Sequence, residues 1–597
     1  MKKVTLIMAI MLFISGAIYC QTRQLTGQVT SSETGEALPG VTVRLKGSPG
    51  GTTTNANGEF SITASGDQGV LMFSFVGMKT LEVPITSSNI YNVSLEPDVL
   101  GMEEVVVTAL GIRREKKALG YSVQDVGNEE IAEVKPLNAV NAIAGKVAGV
   151  QITNATGAVG GASRIVIRGE SSFTNSQPLW VVDGTPFINF DSDKGPMDGA
   201  DFGNGALDID PSNIESISVL KGANAAALYG ARGANGVIVV TTKRGKRTQG
   251  LGVEVSSALT LDVLPYLPYY QNKYGGGANG SEYYWKQYNE NNGTNLTYQE
   301  YAQQFGYNYV DGRNGVNDGT PSSWGPRLDA GLILDQFTGP AQPWVSHPNN
   351  VRDFYETGIT ADNSISLSRA GDMGAIRAYF NDNRVKGTLP NTDYRKNTIS
   401  INSDLQLHER LKFSSNLNYV INKSDNLPAQ GYYGDAPNNP MSGVTFMPRQ
   451  VDIVPLRENW NTVMPSGMPY NFGVGETPNP YLQAHNTNAR ERNRLYGNIS
   501  LDLKLADWLT LRGRAGTDYY YENRKSIVLA LTYRATDGSG LNGTFNESNI
   551  MGVESNYDLL AIFDKEFGDF RIDGTLGGNL MNARTDIKNI SANDLIV

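Results

Sequence analysis

From about Gly252 onward, hydrophobic and polar positions along the 597-residue chain alternate with a period of two. In 410–422, Leu411, Phe413, Leu417, Tyr419 and Ile421 fall on one face, with Lys412, Ser414, Asn416, Asn418 and Asn422 on the other. Ile399, Ile401, Leu405 and Leu407 oppose Ser400, Asn402, Asp404 and Gln406 in the same way, as Ile499, Leu501, Leu503 and Leu505 oppose Ser500, Asp502 and Lys504. The pattern predicts nine strands, near 252–262, 359–370, 374–383, 395–407, 410–422, 495–505, 508–521, 556–566 and 569–579. Each strand alone fits a soluble sandwich as well as a membrane. The connections discriminate, because in order they run long, short, medium, short, long, short, long, short. An outer-membrane barrel keeps short turns on the periplasmic side and long loops outside. RAGDMG, LHER, LADW and EFGD are then expected in the periplasm, and 263–358, 384–394, 423–494 and 522–555 outside. The strand lengths suit a bilayer crossing of about 9 to 11 residues.

Two other textures precede this region. Between Leu25 and Leu95, short β runs are broken by turn residues, and Asn57-Gly58 reads as a tight hairpin turn. A β-sandwich of about 70 residues is the simplest fit. From Ala118 to Arg247, strand-like SRIVIRG, PLWVVDGTPF and GVIVVTT alternate with a short helix pattern and glycine turns, predicting a compact α+β domain. Gly230, Gly233 and Gly236 have the spacing GxxGxxG between helix and strand, which reads as turn glycines in preference to a phosphate loop. Between these regions lies MEEVVVTALG, whose β-branched run is extended with no obvious partner strand. Such a segment is a template for a strand from another chain.

Composition narrows the function. The net charge of −10 is spread without acidic or basic blocks, which argues against a nucleic-acid partner. Lys2 and Lys3 precede an apolar core, Val4 to Ile14, and small residues Ser15, Gly16 and Ala17, the pattern of a signal peptide cleaved after Ala17 or Cys20. No later apolar run is long enough for a transmembrane helix. Cys20 is the lone cysteine, so neither a disulfide framework nor a thiolate metal site is expected; bulky Ile18 and Tyr19 argue against its lipidation. His347, His408 and His485 are far apart, and no HExxH, P-loop or nucleophile-elbow pattern occurs. DSDKGPMDG, from Asp191 to Gly199, resembles a calcium loop but would place Phe202 where a bidentate Glu belongs, so a structural loop is expected. The long loops are rich in Tyr, Trp, Asn, Gln and Gly, as in EYYWKQYNENNGTNLTYQEY; flat rings beside amides suit sugars or peptide backbones, and equally suit loops packing on themselves.

The stretch from Leu25 to Leu95 resembles the carboxypeptidase regulatory-like domain family, a non-catalytic sandwich. AGKVAGVQIT, PLWVVDGTPF and SNIESISVLKGANAAALYGARGANGVIVVTTKRGK resemble the plug signature of the SusC/RagA family of TonB-dependent outer-membrane transporters, and SWGPRLD (323–329) and NRVKGTLPNTDYRKN extend the likeness into the strand region. The resemblance implies a mainly β fold: a signal peptide (1–20), a periplasmic sandwich (24–97), a TonB-box segment (101–112), an α+β plug domain (115–247) and the amino-terminal strands of a transmembrane antiparallel β-barrel (251–597). It further implies that Glu103, Glu104, Val105, Val106, Val107 and Thr108 are the strand gripped by TonB. A SusD-like surface lipoprotein is the expected lid, and the expected activity is import of nutrient oligosaccharides or peptides, without catalytic residue, cofactor or metal. The alternative from another class is a secreted β-rich adhesin or glycan-binding protein. Nine strands fall short of the ~22 of a plugged barrel, so further strands are expected beyond Val597.

Overall fold

The computed structural model describes residues 22–595 with interruptions, the longer ones being 97–104, 108–112, 116–122, 171–175, 190–198, 246–250, 302–322, 431–438, 464–468, 473–478 and 533–541. The signal segment with Cys20, and 191–198 of the calcium-like loop, lie outside the described residues. The chain divides into two compact units.

In the first unit, a three-stranded sheet (Glu59–Ser65, Thr22–Ser31, Val93–Leu95) faces a four-stranded one (Gly51–Thr53, Thr42–Leu45, Val70–Ser74, Leu81–Pro84). Alternate residues of both sheets, among them Leu25, Val29, Val43, Phe60, Ile62 and Phe73, make one core. The Asn57-Gly58 expectation needs correcting. Gly51–Thr53 pairs with Thr42–Leu45, whereas Glu59–Ser65 pairs with Thr22–Ser31, so this tight turn carries the chain between sheets instead of closing a hairpin. Gly58 adopts φ +74°, and Asn55 Oδ1 accepts from the amides of Asn57 and Glu59, which closes the turn locally.

The second unit holds the α+β domain and the nine predicted strands. Its five-stranded sheet has the order Val123–Gly127, Ile214–Leu220, Val237–Thr242, Leu179–Val182, Thr185–Phe187, with Leu179–Val182 parallel to Val237–Thr242. The two parallel strands, Leu179–Val182 and Val237–Thr242, are largely apolar and buried along almost their whole length, because both faces are covered. Gly236 shows why glycine is needed after the 230–233 turn. At φ +93°, a Cβ there would come within 2.8 Å of Ile167 Cδ1 and 3.0 Å of the Leu220 carbonyl oxygen.

The nine strands, Gly252–Asp262, Gly358–Gly371, Gly374–Lys386, Asp393–His408, Leu411–Ser424, Thr487–Ala506, Leu509–Val528, Gly543–Phe567 and Phe570–Leu595, form one antiparallel sheet in sequence order. Several run further than the sequence pattern predicts. Thr487–Arg494, Glu522–Val528 and Gly543–Ser555, expected in outer loops, are strand, and the final segment continues the ninth strand to Leu595 instead of entering a loop. Within the long loops, Glu282–Asn292 is helical, and short helices Pro440–Phe446, Ile453–Glu458 and Pro480–His485 pack with Val351 and Phe354 into a separate small core.

Burial along the nine strands runs opposite to that of a soluble sandwich. Ile399, Ile401, Leu501 and Leu503 are exposed, while Asn418, Asn422, Arg490, Arg492 and Arg494 are buried. Apolar side chains face outward and polar ones inward, as in strands that cross a lipid bilayer. No described helix is long and apolar enough to cross a membrane.

Candidate functional site: a buried charge network between the α+β domain and the strands

The inward face of the sheet is covered by the α+β domain. On the sixth strand, NARERNR sets Arg490, Arg492 and Arg494 two residues apart, hence on one face. All three converge on the segment 202–208. Arg490 donates to the Phe202 carbonyl and to Asn422 Oδ1. Arg492 Nη1 and Arg494 Nη1 reach Asp208 Oδ2 at 3.2 and 3.0 Å. Asn422 Nδ2 donates to Asp208 Oδ1 at 2.9 Å, so both carboxylate oxygens are used. The next strand supplies the remaining countercharge: Glu522 takes Arg492 Nε at 2.6 Å, and Asp518 takes Arg494 in a bidentate pair at 2.8 and 2.6 Å. Asp518 Oδ2 also accepts the Ile188 amide at 2.7 Å. None of the side chains of Asp208, Arg492, Arg494, Asp518 and Glu522 is exposed.

Burial would raise the Asp208 carboxyl, but Arg492, Arg494 and Arg490 outweigh it and hold it below the ordinary range. Asp210, two residues on, is pushed up by burial, which nearby Lys396 offsets only in part. Asp210 accepts the Tyr379 hydroxyl at 2.8 Å.

The same interface is fastened elsewhere. Arg232, in the turn at Gly230–Gly233, pairs with Glu554 at 2.7 and 3.0 Å. Arg244 pairs with Asp404 at 2.5 Å. Asn498 Nδ2 donates to Thr185 Oγ1 and to the Asp183 carbonyl. Gly199–Ala200 pairs with Ala429–Gln430, which begins the long loop after the fifth strand. Charge-assisted bonds as buried as those around Asp208 depend on complete pairing, since removal of one partner strands the other.

Of the sequence-predicted contact residues, Val105–Val107 form a strand that is paired, with Arg113–Glu115, and not isolated as the sequence suggested. Glu103, Glu104 and Thr108 lie outside the described residues. The histidines stand on separate elements. The His347 amide bonds the Arg449 carbonyl, His408 ends the fourth strand, and His485 stacks on Trp460 at 3.7 Å. The arginine triplet was legible as a period-two run, but its expected place in an outer loop hid its role. In the loop after the first strand, Tyr266 and Tyr269 are exposed, while Tyr270 lies under Arg449 at 5.0 Å.

Residues 25–107 match the family model of the CarboxypepD_reg-like domain, and residues 115–237 that of the TonB-dependent receptor plug domain. The chain is 27% identical to TonB-dependent receptor SusC of Bacteroides thetaiotaomicron over 596 residues, 97% of this chain and 52% of that relative. It is 39% identical to TonB-dependent receptor P39 of Formosa agariphila over 224 residues, 37% of this chain and 20% of P39. The RagAB peptide importer in its 'open-open' state superposes with a TM-score of 0.60 at 20% identity, over 83% of this chain and 51% of the matched chain. The 'closed-closed' state gives 0.56, over 79% and 49%. The chain thus spans about half the length of SusC and of the RagAB chain. Both domains match in order, the SusC likeness runs along nearly all of this chain, and the nine strands pack on a plug domain in the fold of the RagAB chain: the chain resembles the SusC/RagA-type TonB-dependent receptors.

Proposed function

We propose that the protein imports nutrient oligomers, oligosaccharides or peptides, across the outer membrane. The observation that carries this reading is the buried pairing of Asp208 with Arg492 and Arg494: a plug bonded this tightly to the inner wall obstructs the lumen, so passage requires work. The outer membrane has no nucleotide supply, and the work comes from TonB, which adds a strand to Glu103–Thr108. Main-chain bonds provide the grip, so an extended Val105–Val107 with few flanking contacts suffices. Because Val105–Val107 pairs with Arg113–Glu115 over only three residues, TonB displaces a short ladder or adds to its free edge. The turns near 372, 409, 507 and 568 face the periplasm, and the folded loops with Tyr266 and Tyr269 face outward beneath a SusD-like lipoprotein lid. Flat phenol rings bearing a polar tip serve a sugar face or a peptide backbone equally well.

Uptake of labelled oligosaccharide and peptide pools by cells carrying the transporter should collapse when TonB is removed. Uptake that continues without TonB would refute the reading.

A further inference from the structure

On the inward face of the second, third and fourth strands, Asp362, Asn381, Asn383 and Thr398 are neighbours. The sheet register sets Asp362 opposite Asn383, and Asn381 opposite Thr398. Asn381 Nδ2 donates to Asp362 Oδ1 at 3.2 Å, and Asn383 Nδ2 to Asp362 Oδ2 at 2.9 Å. Both amides thereby spend a donor on one carboxylate, and the two amide oxygens and the Thr398 hydroxyl oxygen meet no partner among the described residues. These residues are 0, 5 and 1% exposed. Exchanging oxygen for nitrogen in either amide does not help, because it would turn that amide's oxygen toward the carboxylate.

Buried oxygens left unmet are rare in native proteins and call for a donor or a positive charge. The neighbouring cations are engaged elsewhere. Lys396, opposite Asn383, turns its ammonium to the carbonyls of Leu137 and Leu207 at 3.2 and 3.1 Å. Arg377 bonds Asn213 and lies over the Tyr379 ring. Among the described residues, Asp362 has no ion pair within 4 Å, Lys386 and Arg395 pairing with Glu356 and Asp382 instead. A carboxylate, two amide oxygens and a hydroxyl on three adjacent strands are the ligand types of a hard cation, and there is no sulfur or imidazole in the set to favour a transition metal.

We propose that Asp362, Asn381, Asn383 and Thr398 bind an oxygen-ligated hard cation, Ca2+ or Na+, completed by water, which ties the second, third and fourth strands together beside plug segment 207–213. Bound there, it satisfies the three orphaned oxygens and balances Asp362. The site depends on the wall and its plug contact alone, not on which cargo is imported or on TonB.

The full-length transporter in detergent should be stripped with chelator in a choline buffer, then titrated separately with CaCl2, MgCl2 and NaCl. Thermal unfolding and bound metal by elemental analysis are the two readouts. A saturable rise in the midpoint with Ca2+ or Na+, with about one equivalent bound, is expected. Thr398→Val, which keeps shape and removes one ligand, should weaken the apparent affinity on the order of tenfold, equivalent to ~1.4 kcal/mol. Asn381→Leu/Asn383→Leu should abolish it. Should that double variant fail to fold, Thr398→Val alone decides. A wild-type midpoint indifferent to every cation, metal uptake unchanged in Thr398→Val, or stabilisation by Mg2+ alone would overturn the proposal.

Discussion

Arg494 Nη1 of the sixth wall strand stands 3.0 Å from Asp208 Oδ2 of the plug, and neither side chain reaches solvent. The same Asp208 oxygen receives Arg492 at 3.2 Å. One plug carboxylate therefore sits between two wall arginines, each of which also has an acid on the next strand. Asp208→Asn keeps the shape and removes the charge, leaving Arg490, Arg492 and Arg494 with Asp518 and Glu522 only. Plug docking should weaken by roughly 3–5 kcal/mol, the usual cost of breaking a buried pair from one side. The checks are the denaturation midpoint and protease cleavage of the plug in intact barrels; an unchanged midpoint would count against the network.

The pH dependence follows from opposite shifts at neighbouring aspartates. Asp208 is held below its ordinary value by the arginines, so its contribution is complete above about pH 4 and is lost as pH falls through the lower native value. Asp210 is raised by burial, so its contribution is complete below about pH 4 and is lost as pH rises through its native value. The midpoint difference between wild type and Asp208→Asn should therefore shrink on acidification below about pH 4. Asp210→Asn should gain stability relative to wild type at neutral pH. A wild-type to Asp208→Asn difference that stays constant from neutral to acid would contradict the assignment.

Ala200 of the plug and Ala429 of the loop after the fifth strand are Cα partners in a two-residue antiparallel ladder. Cα atoms in such pairs lie about 4.5–5.5 Å apart, within disulfide range. Cys20 is the one cysteine among these 597 residues, so Ala200→Cys/Ala429→Cys introduces a defined staple between plug and loop. Uptake should stop when the pair is oxidised and return on reduction, with capture of the oligomer at the cell surface unaffected. Transport at the wild-type rate through the oxidised form would mean that this part of the plug stays in place during passage.

The nine strands and their order were legible because alternation persists wherever the outward face is apolar, as from Leu495 to Leu505. It failed where strands run past the apolar band. There the outward residues become Glu491, Asn523, Lys525 and Glu547, both faces are polar, and the period-two signal disappears although pairing continues. That is why the arginine triplet was read as loop. Asn57-Gly58 misled for a different reason: the dipeptide specifies a tight turn, while the choice between a hairpin and a sheet crossing rests on pairing with distant Thr22–Ser31 and Thr42–Leu45. Asp208 carried no local signal, since its partners lie 284 and 286 residues away.

The central claim is that force from TonB enters at Glu103–Thr108, and Val106→Pro tests it most directly. Proline removes a ladder donor and disturbs the extended pairing that a partner strand needs. Uptake of labelled oligomer by cells expressing Val106→Pro should fall to the level of cells lacking TonB, with surface capture and outer-membrane assembly as in wild type. Uptake at the wild-type rate would contradict the account.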